Sequence, residues 1–185
     1  MAPHLHLSTL GAPLLFTLAG EPIRFRTRKH FALLIRLGLE SGRRFSRDYL
    51  TELLWPDAPA RHARHSLAQA LSVLKAKVGR EHLLVQKATV ALAAGVLDVD
   101  ASRLADGPTE VRGPFLEGFE IPGAPSFEQW KDEWCAKLTP RIRDSLVKRQ
   151  NEDGSWSDSI CVEYGTAMAC IILQMPNNYL PIFSP

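Results

Sequence analysis

The side chains best suited to recognising another molecule are gathered in one stretch, residues 61–77. A helix over this stretch would bring five hydrogen-bonding side chains to one face, because their spacing fits about 3.6 residues per turn. These five are Arg61, His62, His65, Gln69 and Ser72. Arginine suits guanine edges and glutamine suits adenine edges, whereas histidine and serine can meet bases or phosphates. The chemistry predicted is therefore binding to base edges, with no bond made or broken.

Six cations in the same region are candidates for holding a phosphate backbone: Arg43, Arg44, Arg47, Arg64, Lys75 and Lys87. The charge distribution supports this role, since residues 24–80 hold 13 of the 22 Lys/Arg but 4 of the 20 Asp/Glu. A cationic block within an apolar-patterned region favours a polyanion partner such as double-stranded DNA. The alternative is a solvated basic surface.

Two consecutive helices joined by a short turn are predicted to position these side chains. Ser46 can cap the first helix, and Trp55-Pro56 ends it because proline disfavours helix in the residue before it. The second helix has an apolar stripe that predicts its core face: Ala63, Leu67, Ala70, Leu71, Leu74 and Val78. Residues 46–79 are therefore interpreted as a helix-turn-helix.

Short strand patterns flank this unit on both sides. At the N-terminus, three runs predict a small antiparallel sheet, and a helical pattern follows them over Arg28–Ser41. After the second helix, Leu83–Gln86 and Thr89–Leu92 predict a hairpin, or wing, with Lys87 at its tip. The three N-terminal runs are His4–Thr9, Leu14–Leu18 and Ile23–Arg26.

Histidine and cysteine spacing does not predict a metal or cofactor site. The pair His4 and His6 lacks a third ligand nearby, so both are expected to be surface residues. Cys135, Cys161 and Cys170 lack the close paired spacing of a zinc or redox motif, and reduced thiols in a cytoplasm are expected. No signal peptide or run of about 20 apolar residues is present, so no membrane association is expected.

The order of these elements resembles a known family. The order is strands, a helix, Leu54-Trp55-Pro56-Asp57, a basic helix, a hairpin and Val96-Leu97-Asp98-Val99-Asp100. This order is similar to that of the N-terminal winged helix of the antibiotic-regulatory-protein (SARP) family of bacterial transcription activators. The resemblance covers residues 4–105. It implies that the second helix reads the major groove while the wing and basic residues hold the backbone. It also implies binding as a pair of protomers and contact with RNA polymerase.

Residues after a Gly/Pro-rich connector resemble the opening of that family's helical bacterial transcriptional activation domain. Phe115–Phe119 and a helix from Ser126 carry this resemblance, and Ser126 with Gln129 has the spacing of a capping box. Thr139-Pro140 is expected to kink or restart the helix. Its apolar stripe consists of Phe127, Trp130, Trp134, Leu138, Ile142 and Leu146.

The pattern then departs from that family. Gln150, Gly154 and Trp156 form a Gln-x3-Gly-x-Trp motif, and an apolar helix is expected over residues 160–175. This region resembles a terminal repeat of terpene-cyclase and prenyltransferase-repeat proteins, in which the motif has a structural role. One repeat cannot close a barrel, so its apolar residues are expected to pack on the preceding helix, to self-associate or to stay poorly ordered.

Together these features predict an α+β fold: a winged helix-turn-helix with an N-terminal antiparallel sheet, followed by a short α-helical C-terminal region. The expected divisions are residues 1–106 (winged helix-turn-helix), 107–149 (connector and start of a helical activation-type domain) and 150–185 (an isolated repeat or tail). The predicted function is a DNA-binding transcriptional regulator that reads the major groove with the helix around residues 60–78. Catalysis is not expected, because no acidic DxDD cluster, nucleophile elbow or phosphate loop is present.

Two other functions stay open from the sequence. The chain could be a remnant or accessory module of a terpene-cyclase repeat protein, given residues 150–185. Alternatively, the winged helix could be a protein-docking surface, in which case its affinity for duplex DNA would show no salt dependence.

Overall fold

A computed structural model describes residues 5–104, 109–157 and 162–174. The predicted boundary at residues 106/107 lies outside these ranges, as do His4 and Cys161. The strands are β1 (Leu5–Ser8), β2 (Leu14–Thr17), β3 (Phe45–Ser46), β4 (Leu83–Val85), β5 (Thr89–Leu92) and β6 (Leu97–Val99). The helices are α1 (Arg28–Leu39), α2 (Arg47–Leu54), α3 (Ala60–Val78), α4 (Asp100–Arg103), α5 (Pro125–Lys148) and α6 (Val162–Gln174).

The first sheet is mixed and has the order β2-β1-β6. β1 pairs with β2 in the antiparallel direction, as expected, but also with β6 in the parallel direction, with Leu5 opposite Leu97. The predicted strand over Ile23–Arg26 is absent: Ile23 donates one backbone hydrogen bond to Leu15, and the chain then enters α1. The chain leaves the sheet here because α1 begins directly afterwards: Thr27 caps that helix by accepting from the N–H of His30.

One buried carboxylate joins the ends of this sheet. Asp100 accepts hydrogen bonds from the backbone N–H groups of Thr9 and Leu10 and from the hydroxyls of Ser8 and Thr9. Its own helix adds a fifth donor, the N–H of Ala101 at 2.7 Å. A buried carboxylate with this many donors is well satisfied, so Asp100 fixes α4 against β1.

The helix-turn-helix forms as predicted. Ser46 caps α2 by accepting from the N–H of Tyr49 at 3.1 Å, and Trp55 ends that helix. All six residues of the predicted α3 stripe are buried, and α3 packs on α1 and α2. The apolar periodicity therefore predicted the orientation of α3 correctly.

The wing is part of a second sheet with the order β3-β5-β4. The hairpin of β4 and β5 was expected, whereas β3 was not. β3 is two residues long, Phe45 opposite Val90 and Ser46 opposite Thr89, and it joins the start of α2 to the wing.

The C-terminal helix α5 differs from expectation at its start. It begins at Pro125 with Ala124 as its N-cap, and Ser126 forms no cap hydrogen bond, so the predicted capping box is wrong. Proline at the first helical position needs no N–H partner, and Glu128 instead accepts from the N–H of Ile121. Pro140 lies inside one continuous helix, where Thr139 Oγ1 donates to the carbonyl oxygen of Cys135.

The apolar stripe of α5 faces the core as predicted. Five of its six residues are buried, and the sixth, Trp134, is half-buried. α5 packs against α2, so the helix after the connector covers the helix-turn-helix directly.

The segment after α5 ties that helix to α6. The amide of Gln150 donates to the carbonyl oxygen of Gly154, and the buried indole N–H of Trp156 donates to the carbonyl oxygen of Leu146 at 2.7 Å. The N–H of Trp156 in turn donates to Thr166 Oγ1 on α6. This geometry gives the Gln150, Gly154 and Trp156 motif a structural role, while its assignment to a terpene-cyclase repeat stays a prediction.

No helix among the described residues combines the length and the apolar character that a membrane span requires.

Candidate nucleic-acid interface

The outer face of α3 carries all five base-contact candidates. Arg61, His62, His65, Gln69 and Ser72 are each exposed, whereas the stripe on the opposite side of the helix is buried. Ala68 and Ala76 are also exposed on this side of α3. Because alanine has a small side chain, Ala68 and Ala76 do not prevent the longer side chains from contacting one partner surface at the same time.

Two of these five side chains contact each other. Nε2 of Gln69 lies 3.0 Å from Nε2 of His65, one helical turn earlier. Arg61, His62 and Ser72 have no hydrogen bond or ion pair with the described part of the chain. The outer face of α3 is therefore largely unpaired and available for a partner.

The N-terminus of α3 favours an anion. Pro59 is the N-cap and provides no side-chain hydrogen bond, and no acidic residue lies in the first turn. The first N–H groups of a helix carry a partial positive charge, which attracts a phosphate when no side chain satisfies them. Arg61 adds a full charge at the same end.

The backbone candidate Arg64 is held only weakly. Its guanidinium lies 4.0 Å from a carboxylate oxygen of Asp48 on α2, and both side chains are mostly exposed, at 69% and 86%. An exposed pair at this distance contributes at most about 1 kcal/mol. Arg64 can therefore exchange Asp48 for another anion at little cost.

Strand β3 brings two of the remaining candidates, Arg44 and Arg47, beside a third, Lys87, on the wing. Arg44 donates to Oε1 of Gln86 at 3.4 Å, and the N–H of Arg47 donates to the carbonyl oxygen of Ala88 at 3.0 Å. Lys87 lies between Gln86 and Ala88 and is exposed. Arg44, Arg47 and Lys87 thus form one cationic group, although Arg44 and Lys87 are 43 positions apart in the sequence. Nε of Arg47 is buried and has no hydrogen-bond partner among the described residues.

Arg43 is the candidate with the strongest internal partner. It forms an ion pair with Glu40, which also pairs with Arg36. Burial alone would raise the pKa of Glu40, but hydrogen bonds from Arg43 and Arg36 hold it below its ordinary value. Glu40 therefore stays ionised at neutral pH and competes with any external anion for Arg43.

Lys75 is half-buried on the flank of α3 and has no ion pair with the described residues. Its neighbour Lys77 instead lies over the ring of Phe25. Lys75 can therefore reach past the helix to a phosphate, while Lys77 packs on the body of the protein.

Sequence patterning did not reveal the role of Arg36. This arginine is buried, donates to the hydroxyl of Tyr49 at 2.9 Å, and lies over the rings of Phe45 and Trp130 at 4.2 and 5.3 Å. It thereby links α1, the start of α2 and α5. The sequence of α1 could not predict these contacts, because the rings come from other segments of the chain.

No protein-family model matches the chain, and no curated protein matches it. Among solved structures, the chain is similar to EmbR of Mycobacterium tuberculosis, solved in complex with a low-affinity phosphopeptide. The TM-score is 0.62 at 20% sequence identity, and the match covers 77% of this chain. The likeness shows the fold. It confirms the predicted α+β class and supports the winged helix that the resemblance to the SARP family implied. The chain spans 45% of the EmbR chain, so the likeness concerns less than half of that protein.

Proposed function

We propose that this chain is the DNA-binding part of a transcriptional regulator and that α3 enters the major groove of duplex DNA. The observation that carries the proposal is the outer face of α3: five exposed polar side chains on a helix whose opposite face is fully packed. In a helix-turn-helix, the second helix reads base edges and the first crosses the backbone. Here α3 and α2 hold those two positions.

The proposed contacts divide between two chemical roles. Arg61, His62, His65, Gln69 and Ser72 read base edges, with the N-terminal half of α3 deepest in the groove. Arg64, Lys75 and the wing group of Arg44, Arg47 and Lys87 hold phosphates. Arg43 contributes less, because Glu40 already neutralises it.

The structural likeness to EmbR supports a regulator rather than an enzyme. A second protomer and RNA polymerase, which the resemblance to the SARP family implies, remain predicted partners, and a cytoplasmic location remains expected. The division at residue 150 also remains a proposal, and the hydrogen bonds of Trp156 favour treating residues 150–157 and 162–174 as a structural extension of α5.

Selection of the chain on random duplex DNA, followed by footprinting, tests the proposal. A preferred sequence protected over about one helical turn per protomer is the expected result. If the chain enriches no sequence, and if its affinity for duplexes does not change with salt, then the winged helix is a protein-docking surface instead.

A further inference from the structure

A cavity lies where the winged helix meets the C-terminal helices, far in the chain from the outer face of α3. Its volume is about 160 Å³, and its walls come from residues 110–112, the end of α5, the Trp156 segment and one side of α6. An apolar cavity of about 150 Å³ accommodates benzene in a protein interior. The available space therefore fits a body of about one six-membered ring.

The wall of this cavity is largely apolar and fixed in place. Leu146, Trp156 and Ala169 line it and are each at least nine-tenths buried. The ring of Trp156 is held at its indole N–H by the carbonyl oxygen of Leu146, and its backbone is held by Thr166. Val111 and Met168 complete this apolar part.

Two arginines also line the cavity, and neither has a carboxylate partner in the described part of the chain. Arg112 donates to the hydroxyl of Ser8, and Arg149 donates to the carbonyl oxygen of Thr109 at 2.8 Å. A guanidinium has five N–H donors, so both retain donors for a ligand. Glu110 also lines the cavity and is exposed. Among the lining residues, Glu110 is one carboxylate beside two guanidiniums, while Asp100 lies behind Ser8 and already accepts from five donors. This lining favours a ligand with a single negative charge.

We propose that this cavity binds a small monocarboxylate with a ring-sized apolar body, its carboxylate held by Arg112 and Arg149. Arginine matches a carboxylate with paired N–H donors, and the apolar wall takes up the ring. The proposal does not rest on DNA binding.

Such a ligand would connect parts of the chain that are otherwise joined by few contacts. Arg112 is bound to the end of β1 through Ser8 and to the residues just after it, because its N–H donates to the carbonyl oxygen of Leu10. Met168 and Ala169 belong to α6. A bound monocarboxylate therefore links the first sheet of the winged helix to α6 and stabilises the folded chain in proportion to its occupancy.

Benzoate is the probe for this site, with benzamide and benzyl alcohol as neutral analogues of similar shape. Calorimetric titration of the full chain should show benzoate binding at least roughly tenfold more tightly than either analogue. Arg149→Gln and Arg112→Gln should each remove that preference. Lys148→Gln is the matched control, because it removes a neighbouring exposed cation that does not line the cavity.

A second variant tests the apolar half of the site. Ala169→Leu fills the space beside Trp156 and should abolish benzoate binding, with thermal unfolding used to show that the variant is folded. The proposal is overturned if folded wild-type chain does not bind benzoate, if benzamide binds equally well, or if Lys148→Gln weakens binding as much as Arg149→Gln does.

Discussion

Gln69 and His65 form a side-chain pair across one turn of α3, with Nε2 of each 3.0 Å apart. For the glutamine amide to donate to this nitrogen, the imidazole must be neutral, because a protonated ring has two donors and no acceptor. The amide then keeps its oxygen and one N–H for an outside partner. An adenine edge needs one donor and one acceptor, so Gln69 held by His65 retains the groups that the proposed contact with adenine requires.

Replacing Gln69 with alanine is expected to relax base preference at one position of the selected site. The substitution should weaken the free energy of binding to that site by roughly 1 to 3 kcal/mol and should change binding to unrelated DNA little. Binding of Gln69→Ala to the selected site and to a scrambled duplex measures this difference. Equal losses on both duplexes would mean that α3 does not enter the groove in the proposed orientation.

The contact between His65 and Gln69 predicts that their effects on DNA binding are not additive. His65→Ala should relax preference at the same base position as Gln69→Ala, because the unanchored amide can rotate. A double-mutant cycle on the selected site should give a coupling of about 0.5 kcal/mol or more. His62→Ala paired with Gln69→Ala is the control cycle, since no contact joins those two residues. Additive effects in both cycles would show that His65 contacts DNA independently of Gln69.

Salt should separate the backbone contacts from the base contacts. With about six phosphate contacts, affinity is expected to fall on the order of a thousandfold between about 50 and 200 mM salt. Lys75→Ala and Lys87→Ala should each weaken all duplexes similarly and lower the salt slope by about one. Lys137→Ala on α5 should leave the slope unchanged, and an equal change in that variant would assign the salt effect to net charge alone.

Arg36 is expected to contribute strongly to stability although it is not itself a predicted DNA contact. Arg36→Met removes the hydrogen bond to Tyr49, the contact with Phe45 and half of the charge facing Glu40. Loss of one partner from a buried ion pair costs about 3 to 5 kcal/mol, and the partial exposure of Glu40 places this variant at the lower end. The side chain of Arg43 is 61% exposed, so Arg43→Met should lower the free energy of unfolding by less than about 1 kcal/mol. Urea unfolding of both variants measures the difference. If both substitutions lower the free energy of unfolding by similar amounts, the loss comes from removing a cation beside Glu40 and not from the other contacts of Arg36.

The same substitution at Asp100 and at Asp98 compares a buried carboxylate with a partly exposed one. Asp100→Asn exchanges one acceptor oxygen for an NH₂ group that faces donors, which should cost roughly 2 to 3 kcal/mol of unfolding free energy. Asp98 is partly exposed and contacts His6 and Arg103, so Asp98→Asn should cost less than about 1 kcal/mol. A smaller cost at position 100 than at position 98 would contradict the role assigned to Asp100.

Local patterns predicted much of this molecule because the relevant forces act within a few residues. The stripe of α3, the Ser46 cap and the wing hairpin each depend on spacing along one short segment. The predicted capping box failed for a local reason too, since Pro125 starts α5 one residue before Ser126.

Features made by distant segments could not be predicted from spacing. Strand β3 has two residues, too few to show a periodicity, yet it places Arg44 and Arg47 beside Lys87. Asp98 and Asp100 enter the sequence analysis only through the family resemblance. Their division into a partly exposed and a buried carboxylate depends on β1, more than 90 positions earlier. The cavity at Trp156 likewise requires four segments to meet.

The parallel pairing of β1 with β6 also governs how the chain acquires its structure during synthesis. Leu5 is opposite Leu97, so the first strand has no parallel neighbour until more than 90 further residues have been synthesised. Contacts across such a separation close late and slowly compared with the local hairpin and helices. A nascent chain that ends before Leu97 therefore contains the residues of α1, α2 and α3 without the strand that completes the first sheet. We expect limited proteolysis of stalled nascent chains to show protection of β1 beginning abruptly once residue 100 is exposed.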